Sequence, residues 1–283
     1  MNCVCETRKP NSFSVERITE GKSIQWDGAK YWDKPWNPWI GCEPISPACQ
    51  NCYAKAIVKR FNMTGVESDG FKPCEKERNT FPPRKGVVFC GNMTDLFGDW
   101  LGEREMESHI GCTIGFLGKA TYLWLTKRPA NMVNAVNHGT IYQKEDPDRD
   151  IPFMDCEMGN QWFGFTAEDQ QRFDERIEVM NGMQGWANMW VSCEPLLGPI
   201  DLDLNGRGKR IGWVVVGCES GPRRRSCDEK WIADIKRQCV DADRPVRLFV
   251  KQMDIGAKCV SDILSFPDWA KIRQVPWING ECK

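Results

Sequence analysis

Three cysteines early in the chain stand at a spacing that suits metal or cluster ligation. Cys42, Cys49 and Cys52 form the pattern C-x6-C-x2-C within the stretch WNPWIGCEPISPACQNCY. A C-x2-C pair lets two thiolates converge on one metal, and a third thiolate one loop away closes the site from a second side. Thiolates at this spacing suit zinc or iron–sulfur ligation.

The number of candidate ligands bears on the kind of metal. A structural zinc site normally has four protein ligands, and no fourth Cys or His lies near the three cysteines. The chain has only two histidines, His109 and His138. A cubane iron–sulfur cluster held by three cysteines leaves one iron open to a small molecule. We therefore favour an iron–sulfur cluster, with structural zinc and metal-free or redox-active cysteines as the alternatives.

Composition indicates a soluble globular protein. Of the 283 residues, 41% are hydrophobic and 27% are charged, which is enough apolar material for a core. The net charge of −1 gives no overall attraction to nucleic acid, so any such binding needs a local basic patch. No run approaches the roughly 18 apolar residues of a membrane span, and the N-terminus lacks the apolar core of a secretory signal. We expect a cytoplasmic protein without membrane association.

The expected location bears on the state of the cysteines. The 15 cysteines of a cytoplasmic chain are expected to be mostly reduced thiols rather than a disulfide framework. Cys193, Cys218 and Cys239 lie in apolar runs or helix-like stretches, and they are predicted to be small core residues.

Six apolar runs after residue 85 set the expected fold. They read VVFC, TYLWL, QWFGF, MWVSC, GWVVVG and RLFV, and their Val, Phe and Trp content fits strands buried on both faces. The segments between them are long enough for crossover helices, most clearly over 104–112, 129–137, 169–183 and 228–242. Alternating strands and helices predict an α/β fold, a partial (β/α)6-type TIM barrel with parallel strands.

The remaining segments are assigned around this barrel. We expect an N-terminal extension over 1–35, the barrel over 36–255 with the cysteine loop at 42–52, and a C-terminal extension over 256–283. A short helix is predicted directly after Cys52 from its apolar spacing. Residues 62–85 are interpreted as a loop or lid, and residues 144–155 as a charged surface excursion.

Polar residues follow nearly every predicted strand. The carboxyl ends of barrel strands carry the reaction site in such folds. The residues at these ends are Asn92, Asp95, Thr126, Lys127, Arg128, Thr166, Glu168, Glu194, Glu219, Lys251 and Gln252. A solvated rim would explain any one of them, but not a charged or amide residue at almost every end. The nearby basic run 223–225, which includes Arg225, suits either a solvated loop or a clamp for phosphate or carboxylate.

A family resemblance rests on nine blocks that follow one another in the chain. They read SIQW, WNPWIGC, SPACQNCYA, NMTDLF, LTKRP, GFTAED, SCEPLLGPIDL, WVVVGCESGP and VKQM. The series resembles the phage Gp37/Gp68 family, which is similar to radical S-adenosylmethionine (SAM) enzymes, spore photoproduct lyase among them. Cys218 stands where that family usually has glycine, and Cys193 where it has an aliphatic residue. The cysteine spacing also departs from the C-x3-C-x2-C of the wider radical SAM class.

The resemblance implies a cofactor and a chemistry. Cys42, Cys49 and Cys52 would hold a [4Fe–4S] cluster whose open iron chelates SAM, and one electron would then yield a 5′-deoxyadenosyl radical that abstracts hydrogen from the substrate. The residues assigned to the cofactor are Tyr53, Asn92, Thr126, Arg128, Thr166 and Glu168. Those assigned to catalysis are Lys127, Glu194, Glu219 and Lys251. Those assigned to the substrate are Asp95, Arg225 and Gln252.

The substrate and partners follow less directly. Two cations and two carboxylates, on Arg225, Lys251, Glu194 and Glu219, suit a polar substrate with an anionic part. The resemblance implies a nucleobase in phage DNA or a nucleotide, and an electron donor such as flavodoxin or ferredoxin. The alternatives are a zinc-stabilised noncatalytic binding protein and a radical SAM enzyme that acts on a small amino-acid-like or peptide substrate.

Overall fold

The computed structural model describes residues 24–25, 28–63, 71–75, 81–114, 116, 119–141, 150–278 and 281–282, and only the backbone at 24–25, 277–278 and 281–282. Within this part the helices are α1 (Tyr53–Phe61), α2 (Glu103–Gly111), α3 (Pro129–His138), α4 (Gln170–Met180) and α5 (Glu229–Asp241). The strands before α4 are β1 (Ile24–Gln25), β2 (Lys34–Trp36), β3 (Trp39–Ile40), β4 (Cys74–Glu75), β5 (Gly86–Cys90), β6 (Ala120–Thr126), β7 (Thr140–Ile141), β8 (Ile151–Pro152) and β9 (Gln161–Thr166). Those after it are β10 (Asn188–Cys193), β11 (Ile211–Gly217), β12 (Arg247–Ile255), β13 (Lys258–Val260), β14 (Gln274–Val275), β15 (Trp277–Ile278) and β16 (Glu281–Cys282).

The main sheet is an eight-stranded half-barrel in the order β13-β12-β11-β10-β9-β6-β5-β2. All neighbours from β2 to β12 are parallel, and β13 joins the edge antiparallel. The six predicted apolar runs all form strands of this sheet, which confirms the α/β fold. β2 adds a further parallel strand that the sequence did not reveal, because its residues KPW do not form an apolar run.

One crossover differs from the prediction. The four segments that most clearly predicted crossover helices do form helices. Residues 194–210, between β10 and β11, form no helix. This segment is irregular, and its buried side chains cover the sheet where a helix would otherwise pack. They are Leu196, Ile200, Leu202 and Leu204. Backbone hydrogen bonds attach this segment to its neighbours, from Leu196 N to Gly217 O over 2.9 Å and from Leu197 N to Glu168 O over 2.8 Å. These bonds satisfy part of the polar backbone of the segment without a helix.

The two faces of the half-barrel bury different side chains. Successive strand residues alternate between faces, so Val88 and Cys90 pack on the helix side while Val87 and Phe89 point to the concave side. The helix-side core also contains Cys193, Cys218 and Cys239, whose predicted burial is confirmed. The concave side has a compact core of large rings, which includes Trp162, Trp190, Trp213 and Phe249.

Residues of both predicted extensions pack against the concave side. Tyr31 is 2% exposed, and its ring centroid lies 5.1 Å from that of Trp213 and 5.4 Å from that of Phe249. Val275 from the C-terminal segment belongs to the same core, and β14 pairs with β1. The boundaries at residues 35 and 256 stay a prediction, but the flanking segments complete the concave core.

The two predicted loops are described only in part. Residues 64–70 and 76–80 of the predicted lid lie outside the described residues, and β4 between them pairs with β3. Residues 144–149 of the charged excursion also lie outside, whereas Phe153 near its far end is fully buried. No helix in the described part of the chain has both the length and the apolar character needed to cross a membrane.

Candidate functional site

A cavity of about 530 Å³ opens at the carboxyl ends of the parallel strands, above the concave aromatic core. All the predicted site residues line it except Glu168 and Arg225. The residues that it brings together are Cys42, Cys49, Cys52, Tyr53, Asn92, Asp95, Thr126, Lys127, Arg128, Thr166, Glu194, Glu219, Lys251 and Gln252. The volume is that of a small-molecule site.

The cysteine loop is positioned by a tight approach at Gly41. This residue has φ +89°, and a Cβ on it would lie 2.2 Å from the Lys72 carbonyl oxygen, so only glycine suits the position. The next residue, Cys42, donates its backbone N–H to Phe71 O over 2.8 Å. A single 3-10 turn, Pro47–Cys49, then leads to α1, which begins directly after Cys52. The cysteines therefore lie on a short, backbone-tied loop at the cavity wall.

The thiols of the loop differ in acidity. Burial, followed by the Asp95 carboxylate, raises the pKa of Cys42 to about 12. Burial acts in the same direction on Cys49, but Lys127 and the hydrogen bonds from the Ile45 backbone and from Ser46 lower its pKa below the ordinary value. Cys49 is therefore the thiol for which these surroundings favour a thiolate, the form that binds metals.

The three thiols share one cavity without forming a closed site. In the part of the chain that the structure describes, no three His, Cys, Asp or Glu side chains converge closely enough to hold a metal ion. Cys42 instead points its thiol at Glu43 O over 3.6 Å, and Cys49 Sγ lies 3.6 Å from Ser46 Oγ. Thiols are the type of ligand that an iron–sulfur cluster takes, and these three line the wall of a ligand-sized cavity.

Glu219 and Arg225 fasten the cysteine loop to the end of β11. Arg225 donates from its backbone and its guanidinium to the Glu219 carboxylate, and it also donates to Pro47 O over 3.0 Å. Asn51 adds hydrogen bonds of 3.0 Å to Glu219 Oε2 and 2.8 Å to Arg223 O. Burial raises the pKa of Glu219, but the hydrogen bonds from Arg225 and Asn51 outweigh it and hold the pKa below the ordinary value.

Asp95 and Arg128 are also engaged within the protein. Asp95 accepts hydrogen bonds from Thr126 Oγ1 at 2.8 Å and 3.0 Å, from Lys127 N at 3.1 Å and from Phe97 N at 3.1 Å. The guanidinium of Arg128 lies 3.5 Å from Asp95, donates to Asp99 at 2.9 Å and to Glu43 O at 3.1 Å, and covers the Trp100 ring. These contacts order the ends of β5 and β6.

Asn92 keeps a donor available at the cavity. Its Oδ1 accepts from Asn37 Nδ2 over 2.7 Å, and its backbone oxygen accepts from the Tyr53 hydroxyl over 2.7 Å. Asn37 is fixed in turn, because its Oδ1 accepts from Met93 N over 3.0 Å. The oxygen of the Asn92 amide is engaged, and its NH₂ group has no partner among the described residues, so it can donate to a ligand.

Glu168 lies behind the wall of the cavity. It is fully buried and forms an ion pair of 2.7 Å with Arg176, which also donates to Thr166 O over 2.7 Å. Burial raises the pKa of Glu168, but the Arg176 charge and a Ser46 hydrogen bond outweigh it and keep the pKa below the ordinary value. Its position is that of a support between α4, β9 and the cysteine loop rather than of a lining group.

The floor of the cavity contains Glu194, Lys251 and Tyr31. Lys251 Nζ lies 3.2 Å from Glu194 Oε1, and 5.8 Å above the Tyr31 ring. Burial, followed by the Glu194 charge, raises the pKa of the Tyr31 hydroxyl, which hydrogen-bonds to that carboxylate. Ser192 Oγ lies 3.4 Å from Glu194 Oε2. Gln252 uses its NH₂ to reach Cys218 O over 2.6 Å.

Sequence reasoning missed four residues at this site. Tyr31 was placed in an extension, Asn37 and Asn51 lie beside the cysteines without a distinctive spacing, and Ser192 is inside a strand. The alternation of β10 is the signal for Ser192, because Trp190, Ser192 and Glu194 point to the same side. Nothing local marks the other three.

The fold and the cavity define a class: a mixed α/β protein with a half-barrel sheet and a cysteine-lined cavity at the carboxyl ends of its strands. The chain belongs to the family described as "Protein of unknown function (DUF5131)", which matches residues 26–261. A comparison with curated proteins found no match, and a comparison with solved structures found none either.

Proposed function

We propose that this chain is a cytoplasmic radical SAM enzyme. The observation that carries the proposal is the position of Cys42, Cys49 and Cys52 on the wall of a cavity at the carboxyl edge of a parallel half-barrel. These residues would hold a [4Fe–4S] cluster. Such a cluster, when bound and reduced, supplies an electron that cleaves SAM to a 5′-deoxyadenosyl radical.

The protein's own contribution is to orient and shield. The clamp formed by Asn51, Glu219 and Arg225 holds the cysteine loop against β11. The Lys127 ammonium lies beside Cys49 and forms no hydrogen bond or ion pair with any described residue, so it can receive a carboxylate. The NH₂ group of Asn92 faces the same cavity as a hydrogen-bond donor. Arg128 was an alternative carboxylate partner, but Asp95 and Asp99 already occupy it.

The substrate proposed here is a nucleobase in phage DNA or a nucleotide, and the electron donor is a flavodoxin or ferredoxin. The support for the substrate is the resemblance to phage proteins and to spore photoproduct lyase. The cavity volume of about 530 Å³ suits a single small group better than a polymer segment. A base in DNA would therefore have to leave its stack to react.

The decisive experiment is anaerobic. The protein is purified, reconstituted with iron and sulfide, reduced, and incubated with SAM in the presence and absence of single-stranded oligonucleotide or thymidine. Formation of 5′-deoxyadenosine that is lost in C42A, C49A and C52A supports the proposal. Cys112 lies apart from the cavity lining, so C112A serves as the matched control and should retain the product.

Two other results would count against the proposal. Zinc at one equivalent per chain, without iron and without colour, would favour the noncatalytic binding protein. A C49A variant that keeps its full iron content would remove Cys49 from the ligand set.

A further inference from the structure

Two cations at or near the cavity are each paired with a carboxylate. Arg225 meets the Glu219 carboxylate, and Lys251 Nζ lies 3.2 Å from Glu194 Oε1. The sequence alone suggested that these two cations bind an anionic part of the substrate, and the structure changes that interpretation. The Lys127 ammonium forms no hydrogen bond or ion pair with any described residue, and it lies beside Cys49. An anionic ligand group is therefore drawn to the cysteine loop and not to the floor.

The Glu194–Lys251 pair presents one acceptor beside one donor. Glu194 Oε1 is buried and has no hydrogen-bond partner among the described residues, and Oε2 accepts one long hydrogen bond, of 3.4 Å, from Lys251 Nζ. Lys251 is about one-third exposed, which leaves N–H groups for a ligand. Both residues line the cavity, and Tyr31 supports them from below.

The walls around this pair are apolar and partly aromatic. Phe89 and Leu125 reach the cavity from β5 and β6, and Trp32 lines it from the segment before β2. A flat ring can therefore lie against apolar surface while its edge meets the polar pair.

We propose that Glu194 and Lys251 recognise a neutral amide, lactam or ureide edge, whose N–H donates to Glu194 and whose carbonyl oxygen accepts from Lys251. The proposal deepens the function proposed above by naming the chemistry of the substrate's reacting part. An anion at this position is repelled by Glu194 while Lys251 attracts it, and a cation meets the reverse, so neither charge gains from the pair as a whole. A group with both a donor and an acceptor satisfies both members without adding charge.

Three small probes of similar shape test the charge preference. Benzamide carries the neutral amide edge, benzoate is anionic, and benzamidine is cationic. Ligand-observed NMR on the reconstituted protein should give benzamide about tenfold tighter binding than either ion, a ratio that corresponds to a modest like-charge repulsion in a half-buried site. Displacement of benzamide by thymidine, or only by a single-stranded oligonucleotide, then separates a free nucleoside from a base in nucleic acid.

Two variants reverse the ranking in opposite directions. E194Q leaves the Lys251 charge unbalanced and should favour benzoate, whereas K251M leaves Glu194 unbalanced and should favour benzamidine. The matched control is E43Q, because Glu43 is an exposed carboxylate that lines the same cavity away from the pair, and it should keep the wild-type order. Circular dichroism verifies folding, and K251M alone carries the test if E194Q does not fold.

The proposal is wrong if the wild type prefers either ion, if it binds none of the probes, or if E194Q and K251M both keep the wild-type ranking. SAM cleavage is measured separately on the same protein. Loss of the benzamide preference with 5′-deoxyadenosine still formed would overturn only this inference. The reverse result would overturn the proposed function and leave the recognition pair in place.

Discussion

Asn51 in the cysteine loop donates a hydrogen bond of 3.0 Å to Glu219 Oε2, although 168 residues separate the two in the chain. The same amide reaches Arg223 O, and Arg225 returns to Pro47 O. The position of Cys49 and Cys52 thus depends on the end of β11. Asn51 and Glu219 act on the cysteines through the loop, as positioning residues.

N51A should loosen this loop. Removal of the amide leaves the buried Glu219 carboxylate with one donor fewer, and we expect a loss of about 1–2 kcal/mol of unfolding free energy. Amide hydrogen exchange in residues 42–52 should become faster. The control is N134A, which removes an exposed hydrogen bond of 3.2 Å to Glu103. Equal exchange of the loop in wild type and N51A would show that Asn51 does not hold it.

D95N should destabilise the ends of β5 and β6. Asp95 accepts hydrogen bonds from Thr126 and from two backbone N–H groups. In D95N an NH₂ group replaces one carboxylate oxygen, so a hydrogen-bond donor would point at these donors. We expect a loss of about 1–3 kcal/mol, measured by urea unfolding. D99N is the comparison, because Asp99 also pairs with Arg128 but is 69% exposed. Its loss should stay below about 1 kcal/mol, and equal losses in both variants would contradict this account.

His109 should make the fold sensitive to mild acid. Burial lowers the pKa of His109 to about 4, and Nδ1 has no hydrogen-bond partner among the described residues. The unfolded state, with a pKa near 6.5, binds the proton first, so stability falls as the pH drops below about 6.5 and levels off below about 4. The slope from this residue approaches about 1.4 kcal/mol per pH unit within that window.

H109L should remove this part of the pH dependence. Urea midpoints at pH 7 and pH 5 should differ less in H109L than in wild type. The control is H138L, because His138 is exposed, at the end of α3, and the chain has no other histidine. If the wild type and H109L lose equal stability between pH 7 and pH 5, His109 is not the group responsible.

K127M should slow the chemistry of Cys49 in the metal-free, reduced protein. Burial raises the pKa of this thiol, and Lys127 is the foremost of the groups that lower it. Without the ammonium the thiolate fraction at pH 7.5 falls, and alkylation by iodoacetamide should be slower by a few-fold, measured by mass spectrometry of the Cys49 peptide. K251M removes a lysine of the same cavity whose charge is already paired with Glu194, and labelling of Cys49 should not change.

G164A should disturb the aromatic core on the concave side of the sheet. A Cβ at Gly164 would lie 2.3 Å from the Trp190 ring, which is fully buried and packed against Tyr31 and Trp213. The ring has no free space to move into, so we expect a loss of at least about 1–3 kcal/mol. At Gly212 on β11 the nearest atom to such a Cβ is 3.6 Å away, an ordinary contact. G212A should therefore be nearly neutral, and similar thermal midpoints for both variants would be inconsistent with the structure.

The sequence by itself determined the six central strands and the edge at which the site lies. The six apolar runs are strands because Val, Phe and Trp side chains on both faces need burial, and that property is local. Polar residues at their ends meet in one cavity because parallel strands end at one edge. The C-x6-C-x2-C spacing likewise placed three cysteines on one loop.

Only the tertiary structure decided which of these residues are still available to a ligand. Arg225 and Arg128 looked like free cations in the sequence, but in the folded chain Glu219 and Asp99 neutralise them. Tyr31 reached the cavity floor from a segment without a regular pattern, and the β10–β11 crossover uses buried leucines instead of a helix. Charge pairing and burial depend on which segments meet in space, and local patterns carry no information about that contact.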